Sequence, residues 1–392
     1  MSAPALNPAV AGLEPPPIPA VQRAAARYGG AHGPFLDLSQ AVPGHPPPPA
    51  LLDALGEAAR DPALLGYGPI EGEPALREAW AADLTRAHGL GAGAVSAEDV
   101  LVTAGCNQAF VAAALALAGA RDELVLIGPA YFNHRTALAM LGIGARTVEA
   151  READGFVPDP ERVARAIGPA TRAVVAVSPS NPTGVALPEA VLGALLDLCE
   201  ARGVALVLDE TYRDFLPPGR AAPHRLFERE WRDALVSLSS FSKSLAVPGH
   251  RLGTVLAGPA VRSAIVAVQD NLQICAPRAA QAAVARALLP TVPWREANRR
   301  TVAERAARLE TAFAGLPDWR LGAVGAYFAW VRHPFEAPST EVAERLAGEL
   351  GVATLPGRAF GEGHDRWLRA AFANVDAAGV EAAVARLGEL GR

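Results

Sequence analysis

The segment SSFSKSLAVPGHR (residues 239–251) contains Lys243, the only lysine among the 36 basic residues of this 392-residue chain. Arginine stays protonated in proteins, whereas a desolvated lysine amine can lose its proton and attack a carbonyl group. A chain that uses arginine everywhere else therefore has a candidate Schiff-base lysine at this position. The alternative is that Lys243 lies on a solvated face and has no chemical role. The surrounding sequence distinguishes these two interpretations.

The composition is that of a globular protein, with 51% hydrophobic residues, 20% charged residues and a formal net charge of −5. Basic residues do not outnumber acidic ones, as they usually do in nucleic-acid-binding proteins, and no apolar segment is long enough to cross a bilayer. We therefore expect neither nucleic acid nor a membrane as a partner. Cys106, Cys199 and Cys275 are far apart and lack the spacing of metal ligands. Because the N-terminus also lacks the features of a secretory signal, we expect a cytoplasmic protein without a metal site.

The length predicts one large and one small domain. Residues 1–50 are rich in proline and alanine and are interpreted as an arm and part of the small domain. Residues 51–289 are interpreted as the large domain. Residues 290–392, with a long helical stretch at 294–316 and short strands such as YFAWVRH (327–333), are typical of a smaller α+β domain.

Within the large domain, helical patterns alternate with apolar runs: DVLVTAG (99–105), ELVLIGP (123–129), RAVVAVSP (172–179), VALVLDE (204–210), ALVSLSS (234–240) and GTVLAG (253–258). The runs are hydrophobic throughout, as strands covered on both faces should be. This alternation predicts an α/β fold with a mainly parallel central sheet and helices on both of its faces.

Ligands of open parallel sheets bind beyond the carboxyl ends of the strands. The groups predicted at these ends are the Gly105 turn, Tyr131, Asn181, Asp209 with Tyr212, and Ser240, Ser242 and Lys243 with Arg251. A glycine turn at a helix start, a serine and an arginine suit a phosphate. A tyrosine suits the face of a ring, and a buried carboxylate suits a protonated ring nitrogen. Amide and phenol groups suit a ring oxygen, and the lysine condenses with an aldehyde. Pyridoxal 5′-phosphate has all of these features.

From about residue 35 to its end, the chain resembles the class I/II aminotransferases, the fold-type I superfamily of pyridoxal-phosphate enzymes. The most specific motif is SxxK followed eight residues later by arginine, here Ser240, Lys243 and Arg251. The resemblance implies that Lys243 is the Schiff-base lysine and that Ser240 and Arg251, together with Ser242, bind the cofactor near its phosphate. It further implies a phosphate turn of Gly105, Cys106 and Asn107, a ring stacked on Tyr131, Asp209 at the pyridinium nitrogen, and Tyr212 and Asn181 at the ring oxygen.

Two other segments extend the resemblance. YGPIEGEPALREA (67–79) is similar to a family segment whose tyrosine, here Tyr67, reaches the phosphate of the neighbouring subunit, which implies a homodimer with shared sites. PGRAFGEGHDRWLRAAFAN (356–374) is similar to the family's substrate motif, which implies that Arg369, aided by Asn181, binds the substrate carboxylate.

Two positions depart from the family pattern. The N-terminal L-x-x-G-x-P segment reads LSQAVPG (38–44), so that Ala41 or Val42 stands where the family has glycine. The phosphate turn carries Cys106 in place of a small hydroxyl residue, so its backbone N–H groups are expected to supply most of the phosphate contact.

The resemblance implies amino-group transfer between an L-amino acid and a 2-oxo acid in amino-acid metabolism or biosynthesis, with Lys243, Asp209 and Tyr212 as the catalytic groups. The alternative on the same scaffold is a pyridoxal-phosphate lyase, such as a carbon–sulfur β-lyase or a related elimination or cyclisation enzyme. A third interpretation, the cofactor-binding module of a transcription regulator, conflicts with the negative charge and the short N-terminal segment. The substrate side chain is not fixed by the sequence; Arg278, His45 and Trp330 are candidate pocket residues.

Overall fold

The computed structural model of the chain describes residues 4–391. Within that range the strands are β1 (Leu36–Asp37), β2 (Val100–Thr103), β3 (Glu123–Gly128), β4 (Gly144–Glu149), β5 (Thr171–Val177), β6 (Ala205–Asp209), β7 (Leu235–Ser240), β8 (Gly253–Leu256), β9 (Arg320–Gly325), β10 (Phe328–Arg332), β11 (Val352–Ala353), β12 (Leu355–Pro356) and β13 (Trp367–Ala370).

The α-helices of the same range are α1 (Pro8–Ala11), α2 (Pro17–Ala25), α3 (Pro49–Ala58), α4 (Pro74–His88), α5 (Cys106–Leu117), α6 (Phe132–Leu141), α7 (Pro160–Ala166), α8 (Glu189–Arg202), α9 (Phe241–Ser244), α10 (Pro259–Leu272), α11 (Arg278–Ala287), α12 (Val292–Phe313), α13 (Ser339–Glu349) and α14 (Ala377–Leu387). Several of them begin at a residue that fits a helix start. In α7, for example, Asp159 accepts a hydrogen bond from the Glu161 amide and proline fills the first helical position.

The central sheet has seven strands in the order β2-β8-β7-β6-β5-β3-β4. All neighbouring pairs are parallel except those of β8, which runs antiparallel to β2 and β7. The predicted α/β fold with a mainly parallel sheet is confirmed. All six predicted strands are present, whereas β4 was not predicted, because this edge strand is largely exposed and lacks an apolar run.

Apolar side chains cover both faces of the sheet. Along β6, Leu206 and Leu208 pack into one buried cluster, and Ala205 and Val207 pack into a second cluster on the opposite face. Because side chains alternate along a strand, Asp209 at the end of β6 continues the second face. This alternation decides which polar groups can face a common site.

The C-terminal residues form a second unit, built on an antiparallel sheet of order β12-β13-β10-β9 and flanked by α12 and α14. The N-terminal arm joins this unit, since β1 pairs in parallel with β11 and α2 packs against α13. A search of residues 4–391 for a helix that is long and apolar enough to span a membrane finds none.

Candidate active site

A cavity of about 250 Å³ opens at the carboxyl ends of the parallel strands. Its lining contains the following residues singled out in the sequence: Cys106, Asn107, Tyr131, Asn181, Asp209, Tyr212, Ser240, Ser242, Lys243, Arg251 and Arg369. These groups come from both units of the structure. They lie up to 263 positions apart in the sequence, and the shared sheet edge brings them together.

Lys243 lies in the short helix α9, directly after β7. Ser240 ends the strand and caps this helix by accepting a hydrogen bond from the Ser242 amide at 3.2 Å. The Lys243 amine points into the cavity and donates a hydrogen bond to the Ala41 carbonyl oxygen. Burial lowers the pKa of Lys243 from 10.5 to about 8, and the nearby charges of Arg369 and Arg251 act in the same direction. This amine therefore loses its proton more readily than an ordinary lysine.

The start of α5 and the Arg251 side chain form an anion cradle. Gly105 precedes α5 with φ of +87°, and a Cβ atom at this position would overlap the Arg251 guanidinium. Arg251 is held by a 3.0 Å hydrogen bond from Nη1 to the Pro248 carbonyl oxygen. The first N–H groups of a helix have no partner within it, and together with the guanidinium they favour an anion. The cradle exists because residue 105 has no side chain.

Asp209 is buried at the end of β6 and pairs with a histidine that was not predicted. His134 Nε2 lies 3.3 Å from Asp209 Oδ2, and the Thr211 amide donates to Oδ1 at 2.9 Å. Burial raises the pKa of Asp209, but the hydrogen bonds from His134 and Thr211 and the charge of His134 outweigh it, so that the pKa lies below its ordinary value. The His134 ring is itself fixed by stacking on Phe110 at 4.1 Å.

The two tyrosines of the cavity are kept as phenols. Burial raises the pKa of Tyr131 to about 12, and the nearby Asp209 carboxylate acts in the same direction. Burial also raises the pKa of Tyr212, which packs between Tyr327 and Phe328 with ring centroids 5.5 and 4.9 Å away. At neutral pH both side chains can therefore donate a hydrogen bond.

Arg369 is a buried cation in β13, with only 3% of its surface exposed. Its Nη1 donates to Asn181 Oδ1 at 3.2 Å, and its Nη2 donates to the Ser39 carbonyl oxygen. Within residues 4–391 its Nε has no hydrogen-bond partner. Burial lowers the pKa of Arg369 to about 10, so the group remains charged at neutral pH. A buried guanidinium with an unpaired donor is suited to an incoming carboxylate.

Tyr67 lies outside the cavity and is 80% exposed. Arg278 holds the segment that carries it, because its guanidinium donates to the carbonyl oxygens of Ala63 and Gly66 at 2.8 and 3.2 Å and to Glu73 at 2.5 Å. Arg278 is thus bound in the described chain and does not line the cavity.

The other two candidate pocket residues also lie elsewhere. His45 packs edge-on against Trp294 at 5.4 Å. Trp330 is fully buried in the C-terminal unit and stacks on Trp367 at 5.6 Å. Neither residue lines the cavity.

A second buried polar cluster lies on the opposite face of the sheet and contains His88, Glu210 and His224, whose ligand atoms are close enough for a metal ion. Hydrogen bonds engage Glu210 and His224, and His88 Nδ1 lies 3.0 Å from the His224 carbonyl oxygen, whereas His88 Nε2 has no hydrogen-bond partner within residues 4–391. His224 Nδ1 accepts from the Leu226 amide at 3.2 Å, so Nε2 carries the proton and donates to Glu210 at 3.0 Å. Within the described chain this cluster is a hydrogen-bonded core network.

Neither an apolar pattern nor a charge pattern points to His134, but its position relative to Tyr131 is a usable signal. It follows Tyr131 by three residues in YFNHR, at the first turn of α6, so both side chains lie on one helix face. A tyrosine at a strand end followed by a histidine one turn later could have suggested that both face the same ligand.

Comparison with known proteins gives concordant findings. The family model described as "Aminotransferase class I and II" matches residues 34–387. An aromatic aminotransferase of Arabidopsis thaliana is 31% identical over 90% of this chain and 88% of its own length. A valine–pyruvate aminotransferase of Mycobacterium tuberculosis is 31% identical over 96% of each chain. The solved structure of an aspartate aminotransferase from Thermus thermophilus with maleate matches with a TM-score of 0.88 and 28% identity, covering 99% of this chain and 100% of that one.

Proposed function

The chain belongs to the class I and II aminotransferase family and is an aminotransferase, and we propose that its cavity holds pyridoxal 5′-phosphate as the cofactor for exchange between an L-amino acid and a 2-oxo acid. One observation carries the proposal. The only lysine of the chain has a pKa lowered to about 8 and lies in the same cavity as the anion cradle and the buried Asp209. The named relatives are aminotransferases, which favours this reaction over the lyase alternative.

The hydrogen-bond donors and acceptors of the cavity fit the cofactor. The N–H groups at the start of α5, the Ser240 and Ser242 hydroxyls and the Arg251 guanidinium would bind its phosphate. The carboxylate of Asp209 would bind its ring nitrogen, and the Tyr212 phenol and the Asn181 amide would donate to its ring oxygen. When bound, the cofactor supplies an electron sink that makes the Cα proton of an amino acid acidic.

Lys243 has two roles in this proposal. Its neutral amine would attach the cofactor covalently, and, once released by an incoming amino acid, the same Nζ would accept the proton from the substrate Cα. Both roles need an amine that can lose its proton near neutral pH. The pKa of about 8 meets this requirement, whereas an arginine at this position would not.

Asp209, with His134, would act on the ring nitrogen of the cofactor. Arg369 would act on the substrate. An ionised Asp209 would keep a proton on the ring nitrogen, and the hydrogen bond from His134 helps to keep the carboxylate ionised. Arg369 would bind the α-carboxylate with two parallel hydrogen bonds, which orients the Cα–H bond toward Lys243.

The remaining expectations are part of the same proposal. We propose a homodimer in which the exposed Tyr67 of each subunit completes the phosphate site of its partner. The proposed division is an arm and part of the small domain at 1–50, a large cofactor-binding domain at 51–289 and the C-terminal small domain at 290–392. The described central sheet falls inside the second range, which supports that division. The separated free cysteines favour a reducing, cytoplasmic compartment.

Borohydride reduction in the presence of the cofactor tests the covalent role. Because Lys243 is the only lysine, a reduced adduct should block tryptic cleavage at this residue and leave residues 233–251 as one labelled peptide. Lys243→Ala and Lys243→Arg should show no label and should lower kcat/KM by at least about 10⁴-fold, since each lacks the removable proton. Substantial turnover by the arginine variant would contradict the role of Lys243.

A single-turnover measurement tests the reaction class. With one amino acid and no acceptor, the holoenzyme should release one equivalent of 2-oxo acid per site and no ammonia, after which pyruvate should restart the reaction. Pyruvate is the first acceptor to test because the Mycobacterium tuberculosis relative is named for it. Continuous release of ammonia with a 2-oxo acid would instead indicate a lyase.

A further inference from the structure

One face of α4 contacts both the turn that carries Tyr212 and the helix that carries Lys243. Trp80 and Asp83 are three positions apart on α4, so their side chains lie on the same face of the helix. Both are buried, and neither lines the cavity. We call these two residues the α4 support.

Asp83 holds the residue that directly follows Tyr212. The Arg213 guanidinium donates from Nη2 to Asp83 Oδ2 at 2.6 Å and lies over the Trp80 ring, 4.3 Å from its centroid. Arg213 is only 3% exposed. A buried guanidinium without its carboxylate is strongly unfavourable, so this ion pair fixes the backbone next to the phenol relative to α4.

A second buried arginine fixes the carboxylate itself. Arg295 in α12 donates from Nη2 to Asp83 Oδ1 at 2.5 Å and from Nη1 to Asp83 Oδ2 and Asp214 Oδ1, both at 3.2 Å. Arg86 adds an ion pair with Asp83 at 3.1 Å. Because Asp83, Arg213 and Arg295 are at most 4% exposed in the single chain, a second subunit cannot contact these three side chains.

Trp80 packs against the helix of the lysine. Its ring meets the Phe241 ring edge-on, with centroids 4.9 Å apart. Phe241 is the first residue of α9 and stands two positions before Lys243. Both rings belong to the same buried cluster. The turn after β6 and the helix after β7 are therefore both placed against one face of α4.

The chemistry of the proposed cofactor needs such an arrangement. The aldehyde and the ring oxygen of pyridoxal phosphate are attached to adjacent ring carbons. The amine that binds the aldehyde and the phenol that donates to the oxygen must therefore be held at a fixed separation. Lys243 and Tyr212 follow different strands, and their common contact with the α4 support fixes one relative to the other.

We infer that Asp83 and Arg213 are positioning residues, which hold the Tyr212 phenol at the separation from Lys243 that the cofactor requires. This inference rests on the proposed function, since it assumes that Tyr212 and Lys243 both contact the cofactor. It assigns a purpose to an ion pair that lies outside the cavity and is buried within one chain.

Arg213→Met tests the inference. Asp83→Asn would leave Arg213 buried without an anion and is expected to misfold, whereas methionine can still pack on the Trp80 ring and Asp83 keeps its hydrogen bonds from Arg295. Titration of the apoenzyme with pyridoxal phosphate measures the dissociation constant, and the amino-acid half-reaction measures kcat/KM. Arg213→Met should weaken binding and lower kcat/KM by about fivefold each. Arg213→Lys, which keeps a charged donor for Asp83, should recover most of both losses.

A double-mutant cycle with Tyr212→Phe separates positioning from a merely structural role. Tyr212→Phe should change both values about tenfold, because one hydrogen bond to the cofactor is lost. In that background Arg213→Met should change them by less than about twofold more, since the phenol that it positions is gone. Losses that multiply instead would overturn the inference.

Arg232→Met is the matched control. Arg232 lies over the Trp231 ring at 4.7 Å and donates to Asp99 at 2.8 and 2.9 Å, and none of these side chains lines the cavity. It should leave both values within about twofold of the wild type. If the wild type binds the cofactor and releases a 2-oxo acid, but Arg213→Met behaves like the wild type, only the inference fails. If the wild-type apoenzyme does not bind pyridoxal phosphate, the proposed function fails and the inference fails with it.

Discussion

Asp209 and Glu210 are neighbours in the sequence, and their surroundings are alike in most respects. Both carboxylates are buried, and each lies near a histidine Nε2, at 3.3 Å for Asp209 with His134 and at 3.0 Å for Glu210 with His224. Burial alone would raise the pKa of each carboxyl group. In each case the histidine and a second hydrogen-bond donor lower the pKa by more than burial raises it. Yet they project to opposite faces of the sheet, because side chains alternate along β6.

The difference between them is access to the cavity. Glu210 accepts from His224 at one oxygen and from the Ser237 hydroxyl at the other, at 3.0 and 2.6 Å, and it does not line the cavity. Asp209 lines the cavity together with Lys243. Burial and a shifted pKa are therefore common to the pair in the core and to the pair at the cavity. The property that separates them is an open path to a ligand.

Of the substitutions that test this comparison of the two carboxylates, Asp209→Asn has the largest expected effect. The neutral amide cannot keep a proton on the ring nitrogen of the cofactor, so kcat/KM should fall by about 10³-fold while the cofactor content changes little. The measurement is the amino-acid half-reaction, with cofactor content determined by absorbance. Glu210→Gln is the matched control on the other face of the strand. A residual activity of Asp209→Asn within tenfold of the wild type would remove the functional distinction between the two carboxylates.

The effect of Glu210→Gln should appear in stability instead. The amide oxygen can accept from His224 Nε2–H while the amide nitrogen donates to the Ser237 hydroxyl, so both contacts lose the ionised acceptor, which should cost about 2 kcal/mol of unfolding free energy. Urea unfolding of the holoenzyme at fixed cofactor concentration measures this loss, and the activity per folded site should stay within about twofold.

The same carboxylate also predicts a pH dependence of stability. Because the folded-state pKa of Glu210 lies below its ordinary value of 4.5, its contribution is complete above that pH and is lost as the pH falls towards about 2. Glu210→Gln should therefore lose less stability than the wild type over this window. A large loss of activity at unchanged stability would show that the network around Glu210 serves the reaction.

The sequence predicted the six apolar strands and the chemistry at their ends, because continuous hydrophobic runs and the residues that terminate them are local features. It did not predict β4, whose exposed edge position removes the need for an apolar run. It also did not predict the pairing of Asp209 with His134 or of Glu210 with His224. These pairs join different elements across the sheet, and no spacing along the chain encodes such a contact. The hydrogen bond from the Val42 amide to the Asn374 side chain spans 332 positions and is non-local for the same reason.

The smallest effect, and the finest test of the comparison, concerns His134. His134→Phe keeps a ring to stack on Phe110 but removes the ring nitrogen that lies 3.3 Å from Asp209, whereas His134→Gln can retain a donor there. Without His134, the contribution of His134 that lowers the pKa of Asp209 is lost and only that of Thr211 still offsets burial, so the pKa rises and the carboxylate takes up its proton at a higher pH. The acid limb of the kcat/KM profile should therefore move to higher pH in His134→Phe, with less than about a tenfold loss at the optimum, and should move less in His134→Gln. If both variants kept the wild-type acid limb, the histidine beside Asp209 would be a packing group like its counterpart beside Glu210, and the functional role would belong to the carboxylate alone.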